Sequence, residues 1–395
     1  MMFGILIGTI LGFTLGAVSG LVPGIHSNTI AGVLLGLQPL LLPVFGVEAL
    51  ASAMFATLIT HTFLGVPDPD TALSVLPAHQ LTLEGKGEEA VRIAALGCAC
   101  GLLTAMLVVF PVFFLLPVIQ PFLDWGIGLI LVAVAGFLIV SGESPPWALA
   151  IFIFSGIVGS FSLHFGYLCG NFAGGTAVLM PLLCGLFGIP VLIHAVSGLL
   201  PEQHFSGIHM KREEIRDATL RGTLAGLIVG WLPGLSNATA NAFLATSSGL
   251  NKDRRRYILS TNAANTANAV IGLAAFFSIA RMRNGVVVAI AAFNPPSIMP
   301  FLVVATLAGI LAYLLTIGIS RYAVLLGGIN IRTLNIVVIV FVIVLCLALT
   351  GPFGAFILFL AILIGFLPTL LNVPRLHCMG AIVLPVILYA FGFQV

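Results

Sequence analysis

Apolar runs of roughly 17–25 residues recur along the whole chain, the length a helix needs to cross about 30 Å of hydrocarbon. Short polar stretches punctuate them. No segment alternates polar and apolar residues over about ten positions, as the strands of a membrane barrel would. The pattern therefore predicts an all-α polytopic membrane protein. Two apolar runs carry an odd interruption. Gly20–Thr29 reads GLVPGIHSNT, and Gly230–Thr239 reads GWLPGLSNAT.

The two interruptions belong to a longer echo. Glycines occur at every fourth position from Gly4 to Gly24, a smooth stripe along a helix that lets a neighbour approach closely. Gly222, Gly226, Gly230, Pro233 and Gly234 lie 210 positions after Gly12, Gly16, Gly20, Pro23 and Gly24. A fixed offset of this kind is the mark of an internal repeat. The reading is a first half over 1–200, a polar cytoplasmic connector over 201–221 and a second half over 222–395.

Charge orients the halves. Lys211, Arg212, Arg216 and Arg221 precede the second glycine helix, and Lys252, Arg254, Arg255 and Arg256 follow its hairpin. Both clusters are expected in the cytoplasm. The equivalent parts of the first half, 1–11 and 42–46, carry no charged side chain. The expectation is two inverted-topology repeats whose broken helices or hairpins meet near the midplane.

Composition fits this picture and narrows the function. The 395 residues are 60% hydrophobic and 7% charged, with a net charge of +2 and a mean hydropathy of +1.19. No soluble domain has that balance, and no basic stripe points to nucleic acid. Six cysteines lack zinc or redox spacing and read as small buried residues. The apolar N-terminus lacks the charged start of a cleaved signal and is expected to stay in the mature protein.

Proline breaks a helix and glycine allows the turn that follows. The freed backbone groups survive at membrane depth only inside protein or beside water. Paired breaks in two halves point to a transporter's substrate site, where helix N-termini face an anion and freed carbonyls hold a cation. The expected lining is Pro23, Gly24, His26, Ser27, Asn28, Thr29, Pro67, Pro233, Gly234, Ser236, Asn237, Asn265 and Asn268. Asn262, Asn265 and Asn268 are spaced by three, so they wind along one helical side, and Thr266 lies one turn after Asn262. Amide and hydroxyl oxygens suit a hard cation, and membrane amides are costly without partners. Interhelical hydrogen bonding competes with that reading. Asn262, Asn265, Thr266, Asp68 and Asp70 are the candidates for ion coupling, with Na+ and H+ both open. His26 sits in the break itself and suits a proton-linked role. Arg281 and Arg283 are read either as interfacial residues or as contacts to an anion. No bound cofactor or resident metal is expected.

In order along the chain, four segments resemble the permease subunit of the tripartite tricarboxylate transporters, the TctA family. They are GLVPGIHSNTIAGVLLGLQPLLLP; LGVPDPDTALSVLPAHQLTLEGKGEEAVRIAALGCACG; CGLFGIPVLI; and WLPGLSNATANAFLA with STNAANTANAVIG. The resemblance implies ion-gradient-driven uptake of small carboxylates across the plasma membrane. It also implies a small membrane subunit and an extracytoplasmic binding protein as partners. Carried over to this chain, it places the site at Pro23, Gly24, Ser27, Asn28, Pro233, Gly234, Asn237, Asn265 and the Val66–Pro67 loop. The chain departs from the family where His26 and Ser27 replace glycine-rich positions, where Pro67 precedes Asp68, and at Arg281–Arg283.

The leading reading is a secondary active permease of small organic anions, embedded in the bilayer, with glycine stripes that allow a homodimer. A flippase for an anionic lipid-phosphate headgroup would use the same breaks. An intramembrane enzyme would draw on His61, Asp68, Asp70 and His79. The chain lacks HExxH, GxSxG and P-loop patterns, which counts against that enzyme.

Overall fold

The structure is a computed structural model. It describes residues 2–21, 48–60, 75–169, 178–194, 202–205, 207–231, 240, 253–282, 284–291, 293–322 and 331–393. Among these residues there are helices and turns and no strands, as the apolar pattern predicts. In chain order the helices are α1 (Met2–Leu21), α2 (Glu48–Thr60), α3 (Val75–Leu83), α4 (Gly87–Val140) and α5 (Pro145–His164). Then follow α6 (Leu179–His194), α7 (Arg212–Val229), α8 (Arg254–Ile279), α9 (Gly285–Ala291), α10 (Met299–Ser320), α11 (Ile331–Leu370) and α12 (Gly380–Ala390).

Four described segments are long and apolar enough to cross a bilayer: Gly87–Phe122, Pro145–His164, Met299–Ser320 and Asn335–Leu370. Their outer faces carry large apolar residues such as Leu107, Phe114, Val303 and Phe359, which suit contact with lipid tails. The protein is thus a multi-pass membrane protein. Prolines and glycines shape the long helices. Pro111, Pro117 and Pro121 lie inside α4. α11 kinks at Gly351, whose φ of 68° is a left-handed value, and Pro352 follows at once. The middle of α6, Cys184–Gly188, winds as a π-helix just before Pro190.

Glycine decides how closely the helices of the first core approach. A Cβ added at Gly12 or Gly16 of α1 would overlap the carbonyls of Ala49 or Ala53 on α2. A Cβ at Gly222 or Gly226 of α7 would overlap those of Ser260 or Ala264 on α8. The α1–α2 contact therefore recurs in α7–α8. The glycines are separated by 210 positions and the carbonyls they meet by 211. The hydroxyl of Ser52 donates to the Thr9 carbonyl at 2.6 Å, and that of Thr57 to the Gly16 carbonyl at 3.1 Å. A second core packs α5 on α12, where Gly159 rests on Ala381 and Gly380 on Phe152. The inverted relation of the two halves is an expectation that these contacts leave open.

Leucine at Gly226 is expected to lower the melting temperature in detergent sharply, because forced overpacking costs about 1–3 kcal/mol or more. Leucine at Gly318, which has nothing within 4 Å of an added Cβ, is expected to leave it nearly unchanged. Melting curves of the purified variants decide this.

Candidate functional site

Helix α8 stands apart from the crossing segments. Its 26 residues rise about 39 Å, enough to cross the bilayer. Yet its sequence, RRRYILSTNAANTANAVIGLAAFFSI, is too polar to face lipid. The fold encloses it instead. From Tyr257 to Ala275 every residue of α8 is buried except Asn268, which is half-buried.

Two glycine faces make that enclosure possible. α4 presents Gly97 and Gly101 to the carbonyls of Leu259 and Ala263. α7 presents Gly222 and Gly226 to those of Ser260 and Ala264. These contacts lie one residue apart around α8, so the two neighbours clasp adjacent sides of it. Thr104 of α4 and Thr223 of α7 join across the gap, hydroxyl to hydroxyl, at 2.7 Å.

The predicted amides divide by environment. Asn262 is 3% exposed, and its Nδ2 donates to the Ile258 carbonyl at 2.8 Å. The Cys98 thiol faces both its Oδ1, at 3.8 Å, and the Leu58 carbonyl, at 3.5 Å. Cys98 thereby brings α2, α4 and α8 together. The Thr266 hydroxyl donates back to the Asn262 carbonyl at 3.3 Å. Asn265 is buried at 1% exposure. Asn268 lies beside Gly226, and its side chain makes no hydrogen bond to another described residue. Helical hydrogen bonding thus accounts for Asn262 and Thr266, whereas Asn268 keeps its amide available.

Pro23, Gly24, His26, Ser27, Asn28, Thr29, His61, Pro67, Asp68, Asp70, Pro233, Gly234, Ser236, Asn237 and Arg283 lie outside the described residues. The second break is nevertheless bracketed. Trp231, just before it, offers its carbonyl to Arg281 Nη1 at 3.3 Å. Arg281 Nη2 meets the Asp124 carboxylate of α4 at 2.6 Å. Arg281 thus closes the C-terminal end of α8 as one member of an ion pair.

The opposite end of α8 is more heavily charged. Asp253 caps it, accepting from the backbone N–H groups of Arg255 and Arg256 at 3.0 and 3.4 Å. Three consecutive arginines then reach three different segments. Arg254 meets Glu84, in the turn before α4, at 2.6 Å. Arg255 grips the buried Glu89 of α4 with two bonds of 2.8 and 2.9 Å. Arg256 pairs with Asp217 of α7, which Arg221 also holds at 2.8 Å.

The polar connector docks on this same end. Gln203 accepts from the Gly87 N–H at 2.9 Å and donates to the Thr82 carbonyl at 3.0 Å. The His209 N–H donates to Glu89 Oε1 at 2.9 Å. The Arg92 guanidinium pairs with the buried Glu88 and lies over the Phe205 ring, 4.7 Å from its centroid. Its polarity alone marks this stretch as a connector. Nothing in the sequence marks Thr82, Gly87, Glu89 and Arg92 as its docking partners, or names α8 as the helix that Gly97 and Gly101 of LGCACG face. The four-residue spacing of Gly97 and Gly101 was the available signal.

Comparison with known families finds a match. The tripartite tricarboxylate transporter TctA family matches residues 6–380. An uncharacterized protein of Methanocaldococcus jannaschii, MJ1079, is 29% identical over 401 residues, covering 92% of this chain and 96% of that protein. No solved structure matches.

Two predictions follow from the amides and the charged end. Asn262→Ala is expected to destabilise the protein by about 1 kcal/mol, in line with membrane hydrogen bonds of about 0.6 kcal/mol or somewhat more, while Asn268→Ala is expected to leave the melting temperature nearly unchanged. Burial alone would raise the Asp217 carboxyl, but hydrogen bonds from Arg221 and Arg256 outweigh it and hold the group below its ordinary range. The Arg254 hydrogen bond likewise lowers Glu84. Carboxyls depressed in the folded state stabilise it at neutral pH and lose that contribution as pH falls through the ordinary carboxylate range, about 4, and below. The melting temperature is expected to drop over that window, and Asp217→Asn is expected to flatten the drop.

Proposed function

The chain belongs to the tripartite tricarboxylate transporter TctA family, and from that premise we propose that it is a secondary active permease whose uptake of small carboxylates is driven by an ion gradient. The substrate is a small organic anion and the coupling ion is Na+ or H+. The chain works in the plasma membrane beside a small membrane subunit and an extracytoplasmic binding protein. The observation that carries the reading is α8 itself. A helix long enough to cross, carrying Asn262, Asn265 and Asn268, is enclosed by glycine-faced neighbours and kept from lipid.

The chemistry follows from position. A carboxylate entering the protein loses water and needs N–H donors or helix N-termini in exchange. Amide side chains supply both N–H donors and carbonyl oxygens, so one helix serves an anion and a hard cation together. Pro23–Gly24 and Pro233–Gly234 complete the proposed site with freed backbone groups. Asn268 is the amide best placed to turn to a ligand, since no other described residue claims it.

Uptake of radiolabelled di- and tricarboxylates into proteoliposomes tests this. Saturable uptake that requires an inward Na+ or proton gradient is expected. Asn268→Ala is expected to cut that uptake at least about tenfold, the loss of roughly one good polar contact of about 1.4 kcal/mol, with melting unchanged. Non-saturable flux independent of any gradient would overturn the proposal.

A further inference from the structure

The run Arg254–Arg256 opens a helix, where the macrodipole disfavours cations. Each arginine is instead matched by a carboxylate on a separate segment: Glu84 in the turn before α4, Glu89 on α4 and Asp217 on α7. The connector adds a fourth body, because Glu89 accepts from both Arg255 and the His209 N–H. One end of α8 is thus tied to the turn before α4, to α4 and α7 and, through Glu89, to the connector.

What lies beneath these ties differs in kind. Cys98 lies nine residues beyond Glu89 on α4, about 13 Å along the helix, and Asn262 seven beyond Arg255 on α8, about 10 Å. Over that distance α4 and α7 meet α8 through Gly97 and Gly222 and through a small buried cluster of Ile93, Ala94, Ala218, Ile258 and Leu259. Aliphatic contacts of this sort are non-directional and re-form after the helices shift. The pairs themselves suit repeated opening. Side chains of Arg254 and Glu84 are 43% and 41% exposed, and those of Arg256 and Asp217 30% and 34%. Exposed pairs of this kind hold weakly and are screened by salt. Glu89 is fully buried. Parting it from Arg255 would strand a dry charge, so that step has to admit water.

We propose that Arg254, Arg255 and Arg256, with Glu84, Glu89 and Asp217, form a latch that closes the connector-side end of the α4–α7–α8 contact. When the latch is paired, the polar middle of α8 is sealed from that side. When it parts, water reaches Cys98 and Asn262. The docked connector shares Glu89, so it loosens in the same step. This inference rests on the carrier reading above.

Thiol labelling tests it. Cys98 is fully buried and becomes the reporter once Cys100, Cys169, Cys184, Cys346 and Cys378 are replaced by alanine. The full chain is reconstituted in liposomes and treated with a membrane-impermeant maleimide from each side separately. With the latch intact, Cys98 is expected to react slowly from both sides. Glu89→Gln with Arg255→Gln is expected to speed labelling about tenfold, one decade in the open population, from the arginine-bearing side alone. The exchange Glu89→Arg with Arg255→Glu is expected to slow it again, which general loosening would not do. High salt with the native pairs is expected to accelerate labelling from that side and requires no substitution in the latch. Unchanged labelling in variants of unchanged melting temperature, or equal acceleration from both sides, would overturn the latch. Labelling needs no substrate. A chain that labels as expected but carries no carboxylate would overturn the permease proposal and leave the latch standing.

Discussion

A helix that is long enough to cross a membrane but too polar to touch lipid must be enclosed by protein along its whole length. That constraint on α8 governs much of the rest. Enclosure needs close neighbours, and close neighbours need backbones without side chains between them. Gly97 and Gly101 on one side and Gly222 and Gly226 on the other provide this, each set against α8 carbonyls. Large apolar residues such as Leu107, Phe114 and Phe359 also cover the outer faces, where the bilayer receives them, while Phe55, Phe301 and Leu131 stay inside. Small residues are reserved for the helix contacts themselves, because lipid offers helices no hydrophobic reason to associate.

The same helix is fixed at its two ends by opposite means. At one end Arg281 reaches a single carboxylate, Asp124, and a backbone carbonyl, that of Trp231. At the other, three arginines, three carboxylates and the connector share a web of bonds, with Glu89 at its centre. Between these charged ends the helix carries hydroxyls and amides, most of them wholly shielded from solvent. Most of the charge at these ends therefore lies where water or headgroups can help stabilise it, and the buried Glu89 relies on Arg255 instead, while neutral polarity fills the stretch between.

Much of this was legible in the sequence because it rests on spacing. Glycines four apart announce a smooth face, and the offset of 210 announces that the face occurs twice. The family followed from four segments in order. Packing partners were less legible, since a glycine stripe does not say which helix it meets. The spacing of Gly97 and Gly101 within LGCACG does not name α8 as their partner, and nothing in the sequence sets Cys98 apart from the other five cysteines; its place between Leu58 and Asn262 is a product of the fold. Arg281 read equally well as an interfacial or an anion-binding residue, because nothing in the sequence links it to Asp124 across more than a hundred positions. Hydrogen bonding within one helix explains why Asn262 and Asn268 differ despite identical chemistry. The two breaks and the Asp68–Asp70 loop lie outside the described residues.

The recurring helix pair carries an asymmetry of its own. Shifted by the 211 positions that relate the facing carbonyls, Asn262, Asn265 and Asn268 correspond to Ala51, Met54 and Thr57 of α2. The backbone contact is shared, but the amides are not. Whatever amide lining this pair contributes therefore comes from one copy, while the hydroxyls of its counterpart, Ser52 and Thr57, are spent on holding α1. A ligand held there would experience a lopsided chamber despite the repeated architecture around it. Restyling the chamber's chemistry would then mean altering α8, with α2 left to bear the load.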